Sequence, residues 1–325
     1  MGSLRRDILQ AVFMGMIVPY LILSFAVKLW ERERGTVPVF ETTAEEPAGT
    51  ERDPVTVLLR TEDGTVRTME LEEYLTGVIL AEMPADFEQE ALKAQAVAAR
   101  TFARKAGITG GKHGDGSLCA QSGCCQGYIT TWQYLMNGGT DQNLNRVRRA
   151  VADTAGEVLT YEGELIEATY FACSGGKTED AAAVWGAEYP YLVPVDSPGE
   201  EQAAHYRDTV CFTPQEFQTA IGRQLTGEPA GWFRNLHYTS GGGVESVEIG
   251  GEAYTGTELR GLLGLRSTAF SITITRDAIQ LETKGYGHRV GMSQYGADAM
   301  AVSGSDYREI LSHYYPGTDV ETPDA

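Results

Sequence analysis

Glu82 is the residue of this chain best placed to move a proton. It stands in the run Val78-Ile79-Leu80-Ala81-Glu82-Met83-Pro84. Upstream, Leu71, Tyr74, Leu75, Val78 and Ile79 recur at the i, i+3, i+4, i+7, i+8 spacing of an amphipathic helix. Glu82, eleven positions after Leu71, continues that stripe, so its carboxylate points inward. Pro84 pushes Met83 out of the α region, and the helix is expected to stop at or near Glu82, where the negative end of the dipole disfavours an ionised acid. Burial and dipole both raise the pKa, which suits a proton donor near neutrality. The plainer reading of the same position is a glutamate at a frayed helix end whose head group curls back to water.

Three further clusters could carry chemistry. His113, Cys119 and Cys125 follow at intervals of six, and Cys124 adjoins the last. Such donors suit a tetrahedral zinc ion in a structural role, since residues 106–128 are too poor in apolar side chains to order themselves. The competing reading is a disulfide from Cys119 to Cys124 or Cys125. In the second cluster, Phe171-Ala172-Cys173-Ser174-Gly175-Gly176-Lys177-Thr178-Glu179 ends a strand in a small-residue turn, with Trp185 after it. Glycines let backbone approach a ligand, and a nearby indole is a platform for a sugar face; a tight turn beside a core Trp reads equally well. Cys173 and Cys211 read as buried small hydrophobes. The third cluster, Gly285 through Gly296, packs His288, Met292, Ser293, Gln294 and Tyr295 into a glycine-rich loop that leads into a helix, a composition suited to a groove wall. It has neither a nucleophile elbow nor a phosphate-loop signature.

The elements that position these groups are partly legible. Val55–Leu59 and Thr65–Met69 flank Glu62-Asp63-Gly64 as a hairpin leading into the Glu82 helix. Asp86 with Gln89 reads as an N-cap and box partner for a second helix, whose many alanines imply close helix contact and which Gly107 is expected to end. Arg100 on that helix is either half of a structural ion pair or a donor facing substrate. Asn143–Thr154 reads as a helix with Leu144, Val147 and Val151 inward, and Glu157–Phe171 as a hairpin turning at Glu162-Gly163. Thr213-Pro214-Gln215-Glu216 is a capping box with proline at the first helical position. Phe270–Ile274 and Ile279–Leu281 alternate as strands, and two helices, Ser293–Ser303 and Asp306–His313, close the body. Helices and strands intermix without a βαβ rhythm, which makes the fold class α+β.

Forty-five acidic against 26 basic residues in 325 give a net charge of −19, which argues against nucleic acid as a partner. Residues 8–27 carry no charged side chain and are long enough to span a membrane. With no small-residue cleavage site after them, residues 1–34 read as a retained transmembrane signal anchor. Residues 35–53, rich in Thr, Glu, Pro and Ala, read as a solvated acidic tether.

Three stretches together resemble the stage II sporulation protein D / amidase-enhancer family: Leu75 through Ala103, Ser174-Gly175-Gly176-Lys177-Thr178-Glu179 with Trp185, and Gly287-His288 through Gly296 with Tyr314-Tyr315-Pro316-Gly317. The resemblance spans about Val55 to Thr318, within a domain taken as 54–320 with a short tail, 321–325, and its His/Cys insertion is of clostridial type. It implies a lytic transglycosylase of peptidoglycan glycan strands, cleaving between N-acetylmuramic acid and N-acetylglucosamine with a 1,6-anhydro product. Glu82 would be acid and then base. By the family pattern Arg100, Lys177, His288, Ser293, Gln294 and Tyr295 would line the groove, joined by Ser174, Gly175, Trp185 and Met292 of the same motifs. His113, Cys119 and Cys125 would bind structural zinc, with Cys124 the fourth by position. The resemblance further implies a cell-wall amidase and a membrane partner of the engulfment machinery, and an extracytoplasmic body on the mother-cell membrane at the sporulation septum. Arg289 departs from the family, which commonly has glycine there; it would narrow the groove or offer a cation to substrate carboxylates. Ala172-Cys173 stands where small hydroxyl residues are frequent. Two other readings stay open: a non-catalytic wall-binding activator of an amidase, and a zinc hydrolase at the His113 cluster, which would need an open coordination position.

Overall fold

Val57, Leu59 and the apolar stripe from Leu71 to Ile79 bury together, and that pattern sets the entry to the fold. The computed structural model describes residues 55–61 and 63–323. The expected anchor over 8–27, the tether over 35–53 and Glu62 of the first turn lie outside them. Among the described residues no helix is long and apolar enough to cross a membrane. Strands β1 (Thr56–Arg60) and β2 (Val66–Glu70) pair antiparallel, and Gly64, at φ 83°, closes the turn with its N–H on the Thr61 carbonyl. Helix α1 (Leu71–Glu82) comes directly after and ends as the Met83-Pro84 pair requires, with Met83 extended at φ −131°, ψ 141°.

Helix α2 (Gln89–Thr109) is the axis of the body. Its boundaries correct the expectation at both ends. No side chain caps its start, and Asp86 is not its N-cap: Asp298 accepts the Glu88 N–H at 2.7 Å and Arg146 donates to the Phe87 carbonyl, so tertiary partners replace a local box. Gly107 stays helical, and the stop is Gly110, left-handed at φ 86°. The alanines do what their number implied. Ala96, Ala99 and Ala103 pack into a core with α1 and α4 (Asp141–Asp153), while Ala94 and Ala98 face a second core with α8 (Gln294–Val302) and α9 (Tyr307–Tyr314). Small side chains let four helices approach one axis.

Strand β3 (Leu118–Cys119) runs parallel to β1, and α3 (Thr131–Met136) lies beyond it in the chain. The second hairpin, β4 (Val158–Tyr161) with β5 (Glu164–Leu165), turns at Glu162 and Gly163, both at positive φ as a primed turn demands. It is shorter than expected. β6 (Tyr170–Phe171) leaves it to pair in parallel with β13 (Met292–Ser293), and β14 (Asp319–Glu321) takes the free edge of β4. Helix α5 (Ala181–Trp185) ends at the Trp.

Residues 207–284 bury a third core around Phe217, Trp232, Val247, Ile249, Ile279 and Leu281. Two antiparallel three-stranded sheets enclose it: β8 (Phe233–Tyr238), β9 (Val244–Ile249) and β10 (Glu252–Thr255), and β11 (Phe270–Ile274), β12 (Ile279–Lys284) and β7 (Arg207–Phe212). Capping boxes Thr213/Glu216 and Thr255/Glu258 start α6 (Pro214–Ala220) and α7 (Gly256–Leu263). The body is therefore mixed helix and strand, as its patterning implied.

Candidate functional site

Glu82 is half-buried at the last turn of α1, and burial raises its pKa above the usual carboxylate range. Its Oε1 accepts the backbone N–H of Gly127, which acts the other way by favouring the ionised form. A Cβ at 127 would lie 2.7 Å from Oε1, so any other residue there would displace the carboxylate from this position. A second glycine, Gly77 on α1, lets the same loop cross the helix: a Cβ at 77 would lie 2.4 Å from the Tyr128 ring, and the Ile129 N–H bonds to the Gly77 carbonyl. Between these contacts, buried Gln126 accepts from Tyr74 Oη (3.1 Å) and donates to Tyr170 Oη (2.9 Å) and the Ala99 carbonyl (3.3 Å).

The segment just before Gln126 holds the His/Cys cluster. One donor atom from each of His113, Cys119, Cys124 and Cys125 falls within 4.8 Å of the others. His113 Nε2 is 3.8 Å from Cys124 Sγ and 3.5 Å from Cys125 Sγ, and the two sulfurs are 4.0 Å apart. A tetrahedral ion with metal–sulfur bonds of about 2.3 Å has edges of roughly 3.8 Å, so the donor set fits one metal ion. Four protein donors close such a site, which leaves no position for a hydrolytic water.

Glu82 opens on a cleft of about 850 Å³. Trp185, His288 and Gln294 of the expected residues line it, together with Tyr286, Gly287, Tyr170 and Tyr189. The His288 ring packs on Trp185 (5.2 Å between centroids) and edge-on to Phe171 (5.5 Å). Burial, aided by the Arg260 and Lys112 charges, pulls its pKa down to about 4. Its Nδ1 accepts the Val290 N–H at 3.1 Å, so near neutrality the imidazole is uncharged and carries its proton on Nε2. Its ring hydrogen-bonds the Tyr170 backbone as well, so it is a neutral part of the cleft wall and not an acid.

Other expected groove residues are elsewhere. Arg100 is fully buried and clamps both Glu72 oxygens (2.9 and 2.6 Å) and the Val151 and Glu157 carbonyls, because α2 presents it to α1 and α4 and away from the cleft. It is the structural ion pair. Ser174 and Ser293 turn inward onto buried Glu200, which also accepts from Ser197, the Gly175 N–H and Cys173. Met292 is core, Tyr295 packs edge-on to Phe87 (5.0 Å), and Gly175 is pressed so close to Lys284 that a Cβ would lie 2.7 Å from its backbone. The Lys177 side chain does not line the cleft; its carbonyl accepts from Arg289.

Arg289 neither narrows the groove nor faces it. Only 2% exposed, it donates to the Ser174, Lys177 and Gly241 carbonyls and lies 3.6 Å from Glu179. Its φ of 68° accounts for the ease with which glycine would fit. Cys173 is buried as expected and hydrogen-bonds Glu200 in the place of a hydroxyl, whereas Cys211 is exposed on β7.

Sequence reading missed Gln126, Gly127, Glu167, Lys112 and Arg260. The Cys-Cys-Gln-Gly run carried a signal for the first two, since a metal loop fixes the residues next to its last donor. Arg260 carried none, because its place depends on how residues 207–284 dock.

Residues 60–161 match the profile of the SpoIID family, described as "Stage II sporulation protein". The chain is 40% identical to stage II sporulation protein D of Bacillus amyloliquefaciens over 290 residues, 88% of this chain and 84% of that protein. The Bacillus subtilis protein of that name is 39% identical over 84% and 80%. The chain belongs to the stage II sporulation protein D family. It is also 31% identical to the amidase enhancer of Bacillus subtilis, covering 75% of this chain and 40% of that longer protein. In this member of the family, the matched segment contains Glu82, all four residues of the His/Cys cluster and Gly127.

Proposed function

We propose that the cleft cleaves peptidoglycan glycan strands as a lytic transglycosylase. The observation that carries this reading is a half-buried Glu82 with a raised pKa, held by one backbone donor at the edge of an aromatic-lined cleft. Neutral Glu82 donates its proton to the oxygen between N-acetylmuramic acid and N-acetylglucosamine, the muramic C1–O bond breaks, and the leaving sugar departs with a new hydroxyl. The Glu82 carboxylate then takes the proton of the muramic C6 hydroxyl as that oxygen bonds to C1. A 1,6-anhydro ring forms, Glu82 regains its proton, and no water is consumed. The Gly127 N–H holds the carboxylate in both steps, and Trp185 and Tyr286 offer ring faces to the sugars.

His113, Cys119, Cys124 and Cys125 would hold zinc. When bound, it supplies order to the loop and no chemistry to the reaction. A second cleft carboxylate, Glu167, would be needed by a hydrolase that activates water, but it is engaged by Lys105 at 2.9 Å. On this reading residues 8–27 anchor the protein in the membrane, 35–53 tether it, and the 54–320 body works outside the cytoplasm at the sporulation septum with a membrane partner of engulfment and a cell-wall amidase. The amidase-enhancer relative favours a second reading, a wall-binding activator that cuts nothing. Mass analysis of products from purified glycan strands separates the two. Anhydro ends are expected from the native protein and a loss of at least about 10³-fold in Glu82→Gln; strands left uncut by a folded, metal-loaded native protein favour the activator.

A further inference from the structure

With 45 acidic and 26 basic residues, the protein carries a net charge of −19 and repels anionic polymers. Near the cleft, Lys105 pairs with Glu167 (2.9 Å) and Arg266 with Asp208 (3.1 Å). Two cleft-lining cations differ. Among the described residues no carboxylate lies within ion-pair distance of Lys112 or Arg260, although both face the cavity that holds Glu82. Arg260 is half-buried on α7, and its one side-chain hydrogen bond is a long 3.4 Å contact from Nε to the Leu265 carbonyl. A guanidinium taken partly out of water without a counter-ion is an incomplete pair, and its planar fork matches a carboxylate. Both line the one cleft that also holds His288 and Glu82, so an anionic group on a bound chain meets two unpaired cations there.

We propose that Arg260 and Lys112 form an anion subsite that takes a carboxylate carried by the glycan substrate. The inference rests on the glycan-cleaving reading above and adds to it a determinant of which strand is bound. Chitin-type chains carry no carboxylate. Wall glycan carries one in either of two places: the lactyl ether of a muramic residue freed of its peptide, or the stem peptide where one remains attached. The subsite draws either into a protein whose overall charge disfavours it.

Binding to full-length, metal-loaded Glu82→Gln protein tests this without turnover. Fluorescence anisotropy would compare size-matched chitin oligosaccharides, peptide-free glycan and peptide-bearing glycan. Adding Arg260→Ala is expected to weaken one carboxylate-bearing ligand about tenfold and chitin less than twofold, with Lys112→Ala giving about threefold and Arg260→Lys, which keeps the charge but loses the fork, falling between native and Arg260→Ala. Loss confined to peptide-free glycan assigns the lactyl carboxylate; loss confined to peptide-bearing glycan assigns the peptide. Unchanged affinities, or equal losses for chitin and charged glycan in folded protein, overturn the subsite while leaving the glycan reading intact. Should Arg260→Ala fail to fold, exposed Lys112→Ala decides by the same comparison. If no glycan binds any variant and the native protein yields no anhydro ends, the functional reading falls and takes the subsite with it.

Discussion

The two walls of the cleft solve one problem in different ways. Both are loops with few apolar side chains, and both must hold backbone groups still. The wall that carries Gly127 is tied by four metal-type donors, His113, Cys119, Cys124 and Cys125, with Gln126 pinning its exit. The wall that carries His288 is tied by buried carboxylates. Glu200 gathers Ser174, Gly175, Ser197 and Ser293, while Glu179 and Arg289 join the 174–177 turn to Gly241. A carboxylate hub stays assembled as long as its donors surround it; a donor cluster of thiolates and imidazole depends on an ion and on pH. The contrast predicts that the walls fail separately.

The largest structural effect is expected from emptying the proposed metal site. Exhaustive chelation, or His113→Ala, should release residues 106–128, detach Gly127 from Glu82 and lower glycan cleavage more than about tenfold. Hydrogen exchange is the deciding readout. Protection should vanish in 106–128 and persist in 172–176 and 285–296; simultaneous loss in both segments would merge the walls into one unit and end the comparison.

The same division governs how much of the molecule was legible in its sequence. The Glu82 wall is written locally: an apolar stripe ending at Met83-Pro84, then donors at intervals of six, and the structure places the helix end and the four donors as expected. The opposite wall was legible as a loop but not in its roles. Ser174, Ser293 and Arg289 are polar residues in a glycine-rich stretch, and nothing in their order shows that Glu200, 26 positions after Ser174, turns them inward. Arg100 misled for the same reason, since a buried arginine and a substrate arginine look alike until Glu72 is seen beside it. Residues whose partners are distant in sequence carry no local mark of which way they face.

A smaller effect should come from the carboxylate wall. The Ser174 and Gly175 N–H groups both point at Glu200 Oε2 and cannot reverse, whereas the Ser197 and Ser293 hydroxyls on Oε1 can. Glu200→Gln therefore keeps its carbonyl on the amides and offers its NH₂ to the hydroxyls, exchanging charged hydrogen bonds for neutral ones at a cost of about 1–3 kcal/mol. Urea midpoints measure this. Exchange protection should weaken in 172–176 and 285–296 and stay unchanged in 106–128, the reverse of metal removal. An equal loosening of the metal loop would show that the two walls share one support.

Glu82 lies between the walls and gives the smallest shift. Burial raises its folded pKa above the unfolded value, so between those two values the folded state holds more protons than the unfolded one. Stability contributed by this group is therefore present at low pH and falls as pH rises through that window. Glu82→Gln keeps an oxygen for the Gly127 N–H and removes the ionisation. The variant should match the native protein in acid and exceed it by about 2 °C or less in melting temperature above the window, while losing cleavage. A native protein that gains stability over the variant as pH rises would mean that the Gly127 bond outweighs burial. Glu82 would then be held as a carboxylate, and the wall that carries Gly127 would serve to bind a charge instead of to place an acid.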